Sequence, residues 1–181
     1  MKGFTLIEII VGIGVFILLI FALFNLYLVY GSLYSFQDTQ LTATMDGRVA
    51  MSEITFLTVQ AYRVVGNITI ATTTYYSGTT TLVLQIPSMA AGDGTISNTW
   101  DYAVFYINGT NLYRTIQANA ASSRISGTRL LTGNLQNLVF SYDNADLTQA
   151  QKVSIDINIQ TQTAKYTATN HSTEQVTLRN F

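Results

Sequence analysis

The chain has 181 residues, a formal net charge of −1, 10% charged residues and no cysteine. This charge excludes a polybasic protein that binds nucleic acid or a membrane surface, and the lack of cysteine excludes disulfides and Cys-ligated metals. Beside an N-terminal apolar segment, the length leaves room for one modest domain of about 50–200 residues.

The N-terminal segment contains Lys2, Glu8 and then no charged residue before Asp38. Residues 4–30 form an apolar run that is roughly 40 Å long as a helix, and a bilayer core needs about 20 such residues. The alternative is a cleaved secretory signal, but its apolar core is about 7–15 residues long and ends at a small-residue cleavage site. We therefore predict a transmembrane helix over 4–30, which the positive-inside rule orients with Lys2 in the cytoplasm.

The helix is predicted to continue outside the membrane as an amphipathic helix over residues 31–65. Apolar and small residues recur at alternating spacings of three and four, which places them on one helical face. This face comprises Leu33, Phe36, Gln40, Ala43, Gly47, Ala50, Ile54, Leu57, Ala61 and Val64. Arg63 falls in the last turn, where cations are favoured, and Gly66 is the predicted C-terminal cap. A two-stranded coiled coil is the alternative use of this face, although Gln40 and Gly47 make a poor seam.

Residues 66–181 show the alternating pattern of β-strands, without a further helix-length pattern. Strands are predicted at 82–86, 103–107, 111–116, 138–142, 152–160 and 175–178. Pro87 is predicted to end the first of them, and Asn108-Gly109 predicts a tight hairpin between the second and third. The predicted fold class is therefore α+β, with one long N-terminal helix packed against a mainly antiparallel β-sheet domain.

The N-terminal residues Met1-Lys2-Gly3-Phe4-Thr5-Leu6-Ile7-Glu8, followed by the apolar helix, resemble type IV pilins and pseudopilins. These are the filament subunits of pili and type II secretion systems. The resemblance implies a pilin-like fold and a leader peptide, residues 1–3, that a prepilin peptidase removes after Gly3. It also implies methylation of the new N-terminal Phe4 and a role for Glu8 in assembly, with an inner-membrane assembly platform as partner.

A second resemblance concerns the C-terminal half. Leu112-Tyr113-Arg114, the 138–142 strand and Val176-Thr177-Leu178-Arg179-Asn180 look like segments of the minor pseudopilin J and minor pilin W group. That resemblance implies membership of a small complex that primes assembly and caps the filament tip. Because Glu8 is present, unlike in the minor pseudopilin K group, a position at the extreme tip is disfavoured.

Glu8 has two interpretations: it is either a first-turn carboxylate that the helix dipole stabilises, or an acid that pairs with a cation during assembly. A carboxylate in the first helical turn gains a few tenths of a kcal/mol from the helix dipole, whereas an ionised group costs about 2–3 kcal/mol at the bilayer centre and less near its edge. Cleavage after Gly3 would create a cationic partner, the α-amine of Phe4. That amine lies one turn away in the same chain, or it pairs with Glu8 of a neighbouring subunit and sets the stagger between helices.

No catalytic constellation is predicted, so the chain is expected not to be an enzyme. The single histidine, His171, is interpreted as a solvated turn residue, and nothing is spaced for a zinc site or a nucleophile elbow. Candidate calcium ligands lie in two loops, at Asp93 with Asp101 and at Asp143 with Asp146. Neither loop has the EF-hand spacing, and ordinary turns are the preferred interpretation, with no cofactor.

A nucleic-acid interface is the other alternative that the sequence leaves open. Arg114, Arg124 and Arg129 lie in the stretch 102–142, which contains no acidic residue between Tyr102 and Tyr142, and Tyr113 could stack on bases. Three arginines are a small footprint, so scattered surface cations are the preferred interpretation.

The sequence thus predicts a minor pilin or pseudopilin with a leader (1–3), a transmembrane helix (4–30), its amphipathic continuation (31–65) and a β-rich head (66–181). It is expected in the inner membrane with the head outside the cytoplasm, and then in a pilus or pseudopilus among other such subunits. The alternative is a single-span membrane-anchored binding module that never polymerises.

Overall fold

The structure is a computed structural model that describes residues 5–92 and 94–179. It begins with one continuous helix, α1 (Leu6–Val59), of 54 residues, which is about 80 Å long at 1.5 Å per residue. Every residue from 6 to 30 is exposed. Within the described ranges, α1 is the one helix long and apolar enough to cross a membrane.

Ten strands follow in the described part of the chain. They are β1 (Arg63–Val64), β2 (Asn67–Ile70), β3 (Thr73–Tyr76), β4 (Thr81–Met89), β5 (Thr95–Asn108), β6 (Asn111–Gln117), β7 (Gly127–Thr132), β8 (Leu135–Tyr142), β9 (Lys152–Gln162) and β10 (Thr167–Thr177). A short 3₁₀ helix covers Leu147–Gln149. The strands pair antiparallel in a five-stranded sheet (β1-β4-β5-β6-β7), a three-stranded sheet (β10-β9-β8) and a hairpin (β2-β3). The predicted α+β class is confirmed.

The helix ends at Val59 and not at residue 65, which corrects the prediction. The amides of Tyr62 and Val65 donate to the carbonyls of Gln85 and Val83, at 2.8 and 3.0 Å, so the chain pairs with β4 instead of continuing the helix. Ala61 and Val64 are buried as predicted, but from a turn and a strand. Consequently Arg63 is not in a last helical turn, and Gly66 does not cap α1.

Three details of the strands also differ from the prediction. Pro87 lies inside β4, at a register shift between Pro87 and Met89, where a proline is tolerated because the ladder is already interrupted. Asn108 pairs with Asn111, so the hairpin turn is Gly109-Thr110, one residue later than predicted. Gly109 has φ +64, which suits glycine at the first turn position. His171 lies within β10, not in a turn.

The core lies between the C-terminal half of α1 and the inner faces of the two larger sheets. The helix contributes Ala50, Met51, Ile54 and Leu57, and the sheets contribute Leu82, Leu84, Ile86, Phe105, Leu138, Phe140, Val153, Ile155, Ile157 and Ile159. The predicted alternation along β9 is confirmed. The predicted helical face is buried only from Ala43 onward, because the sheets do not cover Leu33 or Gln40.

Strand β10 runs alongside α1 in the same direction. Three contacts define this: the rings of Phe36 and Tyr166 have centroids 5.6 Å apart, Gly47 faces the Asn170 side chain, and the Thr55 hydroxyl donates to Glu174 (3.0 Å). From residue 36 to 55 the helix rises about 28 Å, and eight strand residues advance about 26 Å. Since these lengths agree, α1 and β10 run side by side over this distance. Because Tyr166 at the start of this segment contacts Phe36, the turn before β10 is the end of the head nearest to the exposed residues 6–30 of α1.

Candidate functional site

The predicted processing site, Gly3 and Phe4, lies outside the described residues. The described chain begins with Thr5, which caps α1 together with Glu8. The Glu8 amide donates to Thr5 Oγ1 (3.4 Å), and the Thr5 amide and hydroxyl donate to Glu8 Oε2 at 2.8 and 3.0 Å. These contacts make a capping box, which satisfies amides that a helix start otherwise leaves unpaired.

The capping box was not predicted from the sequence. Thr5-Leu6-Ile7-Glu8 has the pattern of Ser or Thr followed three residues later by Glu, so the signal was present. Both bonds from Thr5 use Oε2, and a carboxylate accepts through two oxygens. Glu8 can therefore cap its own helix and also receive an amine.

Along residues 6–30, the predicted transmembrane part of α1 is exposed and is not covered by any other described element. Its one polar amide, Asn25, donates to the Phe21 carbonyl one turn earlier (2.9 Å), so the helix itself satisfies that group. Tyr27 and Tyr30 at its C-terminal end, and Tyr34 one turn farther along α1, are exposed. Tyrosines at that position are typical of the membrane–water interface.

A second exposed apolar surface lies farther along α1. We call it the outer stripe, and its residues are Leu41, Met45, Val49, Phe56 and Val59, each 45–62% exposed. Spacings of four, four, seven and three residues place them on the side of the helix opposite Ala43, Gly47, Ala50 and Ile54, which the head covers. Contiguous exposed apolar surface of this kind marks interaction sites.

The outer stripe was not predicted from the sequence, where only the apolar face that starts at Leu33 was followed. Two acidic residues of the helix, Asp46 and Glu53, fasten it to the head. Glu53 forms an ion pair with Arg114 of β6. Asp46 Oδ2 accepts hydrogen bonds from Thr132 Oγ1 (3.3 Å) and Asn134 Nδ2 (2.8 Å). The head is thus held rigidly on one side of α1, with the stripe on the other.

Asp101, a calcium candidate, is fully buried and bonded within the protein. Its Oδ2 lies 2.9 Å from an Arg124 guanidinium nitrogen. The carboxylate also accepts from the Ser88 hydroxyl (2.8 Å), the Asn119 amide (2.7 Å) and the Ser122 hydroxyl (2.7 Å). These contacts hold the segment that follows β6 against β4 and β5.

The other calcium candidates are engaged in local turns. Asp143 Oδ1 accepts the amides of Gln151 and Lys152, at 3.0 and 3.1 Å, and Asp146 Oδ1 accepts the Thr148 amide at 3.0 Å. Asp93 lies outside the described residues. Among residues 5–92 and 94–179, no three His, Asp or Glu side chains come together to hold a metal.

The three arginines that suggested a nucleic-acid interface do not form one basic surface. Arg114 is paired with Glu53 and Arg124 with Asp101. Only Arg129 of the three is on the exposed side of the head, in β7. These pairings could not be predicted from the sequence, because Glu53 and Asp101 lie in segments distant from the two arginines.

His171 lies on the exposed face of β10, with Nε2 3.0 Å from Asp156 Oδ2. The Thr173 hydroxyl donates to the same carboxylate (3.2 Å) rather than to the imidazole, so Thr173, His171 and Asp156 lack the order of a nucleophile, a base and an orienting acid.

The geometry of the described residues is that of a head fastened to one side of α1, which leaves two exposed apolar surfaces on the helix. Comparison of the chain with protein-family models, with curated proteins and with solved structures finds no match.

Proposed function

We propose that the chain is a pilin-like structural subunit, a minor pilin or pseudopilin of a pilus or type II secretion filament. It is inserted in the inner membrane by α1, cleaved after Gly3 and methylated at Phe4. It then assembles by packing α1 against the helices of other subunits.

The observation that carries this proposal is the outer stripe. A membrane anchor accounts for the exposed apolar residues 6–30 but not for Leu41 to Val59. At 1.5 Å per residue, the stripe extends from about 16 to about 44 Å beyond Tyr30. This is outside a bilayer whose core is about 30 Å thick, so lipid does not cover it, and helices of other subunits do.

The position of the head supports the same proposal. Glu53, Asp46 and β10 hold the head on one side of α1, which leaves the opposite side open along its whole length. Full burial of a large apolar side chain contributes about 1.5–3 kcal/mol, and each residue of the stripe is already about half covered. Five such residues therefore supply several kcal/mol to helix packing, in addition to the membrane part of the helix.

Glu8 provides the specificity in this proposal. Its carboxylate is held at the helix start by Thr5, at 2.8 and 3.0 Å. The α-amine of Phe4 from an incoming subunit would offset the cost of placing that charge near hydrocarbon. Because few other registers pair the two charges, this contact would fix the stagger of neighbouring helices.

The test uses the absence of native cysteine, which makes single-cysteine labelling clean. Val49→Cys, on the outer stripe, is compared with Asn137→Cys, which is exposed on β8 of the head. We expect a maleimide to label both variants in detergent-dispersed subunits, but only Asn137→Cys in filaments sheared from cells. Equal labelling of Val49→Cys in the two preparations would contradict helix packing along the stripe, and absence of the chain from the sheared filaments would favour the single-span binding module.

A further inference from the structure

The turn between β9 and β10, residues 163–166, is the part of the head nearest to the membrane. Its Tyr166 contacts Phe36 of α1, with ring centroids 5.6 Å apart. Phe36 lies six residues beyond Tyr30, which is about 9 Å along the helix axis. The head therefore begins close to the headgroup layer, which is about 5–8 Å thick on each side of the hydrocarbon.

This turn is closed by hydrogen bonds rather than left as an open loop. The Thr163 amide donates to the Tyr166 carbonyl (2.8 Å), and the Tyr166 amide donates to Thr163 Oγ1 (3.1 Å). The Tyr166 ring is held against Phe36 on one side, and the Lys165 ammonium lies 5.4 Å from its centroid. The turn thus presents an aromatic ring and a cation in a fixed arrangement.

Lys165 is exposed, and the nearby acid on α1 does not neutralise it. Asp38 is two residues beyond Phe36, so it points about 160° away around the helix, to the side opposite the turn. A lysine beside a tyrosine is typical of the membrane–water interface, where the apolar parts lie in the interface and the ammonium reaches the headgroups.

We propose that this turn binds the headgroups of anionic phospholipids in the membrane that α1 spans, with Lys165 pairing with phosphate groups and Tyr166 lying in the interface. The inference rests on the membrane insertion in the proposed function. Because the head is joined to α1 through Glu53 and Asp46, the contact fixes the tilt of the whole subunit in the bilayer before assembly, and it is lost when the subunit leaves the bilayer. A single lysine near an anionic membrane surface raises the affinity for that surface about fivefold. The effect requires the lysine to lie within the electrostatic screening length, about 8 Å at physiological salt.

The experiment places the full-length chain in nanodiscs of phosphatidylcholine alone or of an equal mixture of phosphatidylcholine and phosphatidylglycerol. A fluorophore on Ala164→Cys reports contact through quenching by a headgroup-spin-labelled phospholipid. Thr177→Cys, at the far end of β10, is the matched position. We expect strong quenching at 164 and not at 177, and stronger quenching at 164 in the anionic discs.

Charge is tested by Lys165→Gln against Lys152→Gln, a change at the far end of β9. Only Lys165→Gln should remove the preference for phosphatidylglycerol, by about fivefold. Quenching at 164 that is equal in both lipids and insensitive to Lys165→Gln would overturn the proposal. So would an unquenched 164 in discs that hold the protein, although membrane insertion would then stand. A chain that fails to enter the discs would overturn both.

Discussion

The buried ion pair between Asp101 and Arg124 gives the most quantitative prediction for the stability of the head. Breaking a buried pair by removing one partner costs about 3–5 kcal/mol. In Arg124→Met, Asp101 keeps its bonds from Ser88, Asn119 and Ser122, so we expect a loss near the low end, about 3 kcal/mol. In Asp101→Leu, Arg124 keeps its bonds to the Pro87 carbonyl and the Gln60 side chain, but its charge loses its partner and three other donors lose their acceptor, so we expect about 5 kcal/mol.

The double variant separates the ion pair from its surroundings. Replacing both charges with apolar groups leaves no unpaired charge, so the loss should be smaller than the sum of the single losses by about 2 kcal/mol or more. Urea unfolding of the full-length protein in detergent is followed by Trp100, the single tryptophan. Trp100 precedes Asp101 and stacks on Tyr62 with centroids 4.8 Å apart.

Arg129→Met, an exposed arginine on β7, is the control and should change stability by no more than about 0.5 kcal/mol. The reasoning would be refuted if the single losses added within about 0.5 kcal/mol in the double variant, because contacting residues would then act independently.

Two further predictions concern close packing and pH. A Cβ on Gly47 would lie 2.5 Å from Asn170 Oδ1, so Gly47→Ala should destabilise the head by about 1 kcal/mol, measured by chemical denaturation. When Asn170→Ala removes the clashing oxygen, the added Gly47→Ala change should be neutral or stabilising. Burial raises the pKa of Tyr142 above its ordinary value of 10.0, and its hydroxyl donates to the Gly78 carbonyl (2.9 Å); Tyr142→Phe should therefore cost about 1 kcal/mol at neutral pH. The stability due to the neutral hydroxyl is intact below pH 10 and is lost as pH rises through the raised pKa. The free energy of unfolding of Tyr142→Phe should therefore fall less steeply above pH 10 than that of the unchanged protein. An equal fall in both proteins would contradict this origin.

Features that depend on local pattern could be predicted from the sequence. The apolar run predicted α1, and the strict alternation of Val153, Ile155, Ile157 and Ile159 predicted β9 with its buried face. The helix end could not be predicted in this way. Ala61 and Val64 continue the helical spacing, but pairing with β4 outweighs it, and that pairing is visible only in three dimensions.

Features that depend on contacts between distant segments, or that lack a clear local pattern, could not be predicted from the sequence. Strands β3 and β7 are largely exposed and contain two threonines each, so they lack a clear apolar alternation, and the alternation of β2 covers only four residues. Arg124 finds Asp101 only because the β5–β6 hairpin folds the chain back on itself. The outer stripe could have been predicted, because its apolar spacing is present in the sequence. It was not recognised because polar residues such as Arg48 lie between its members.

The central claim is that α1 serves filament assembly after its leader has been removed. The most direct measurement is N-terminal peptide mass spectrometry of the protein in filaments sheared from cells. We predict chains that begin at a methylated Phe4 and that co-purify with other subunits of the same filament. Recovery of the chain only from the membrane fraction, with Met1-Lys2-Gly3 still attached, would contradict the account.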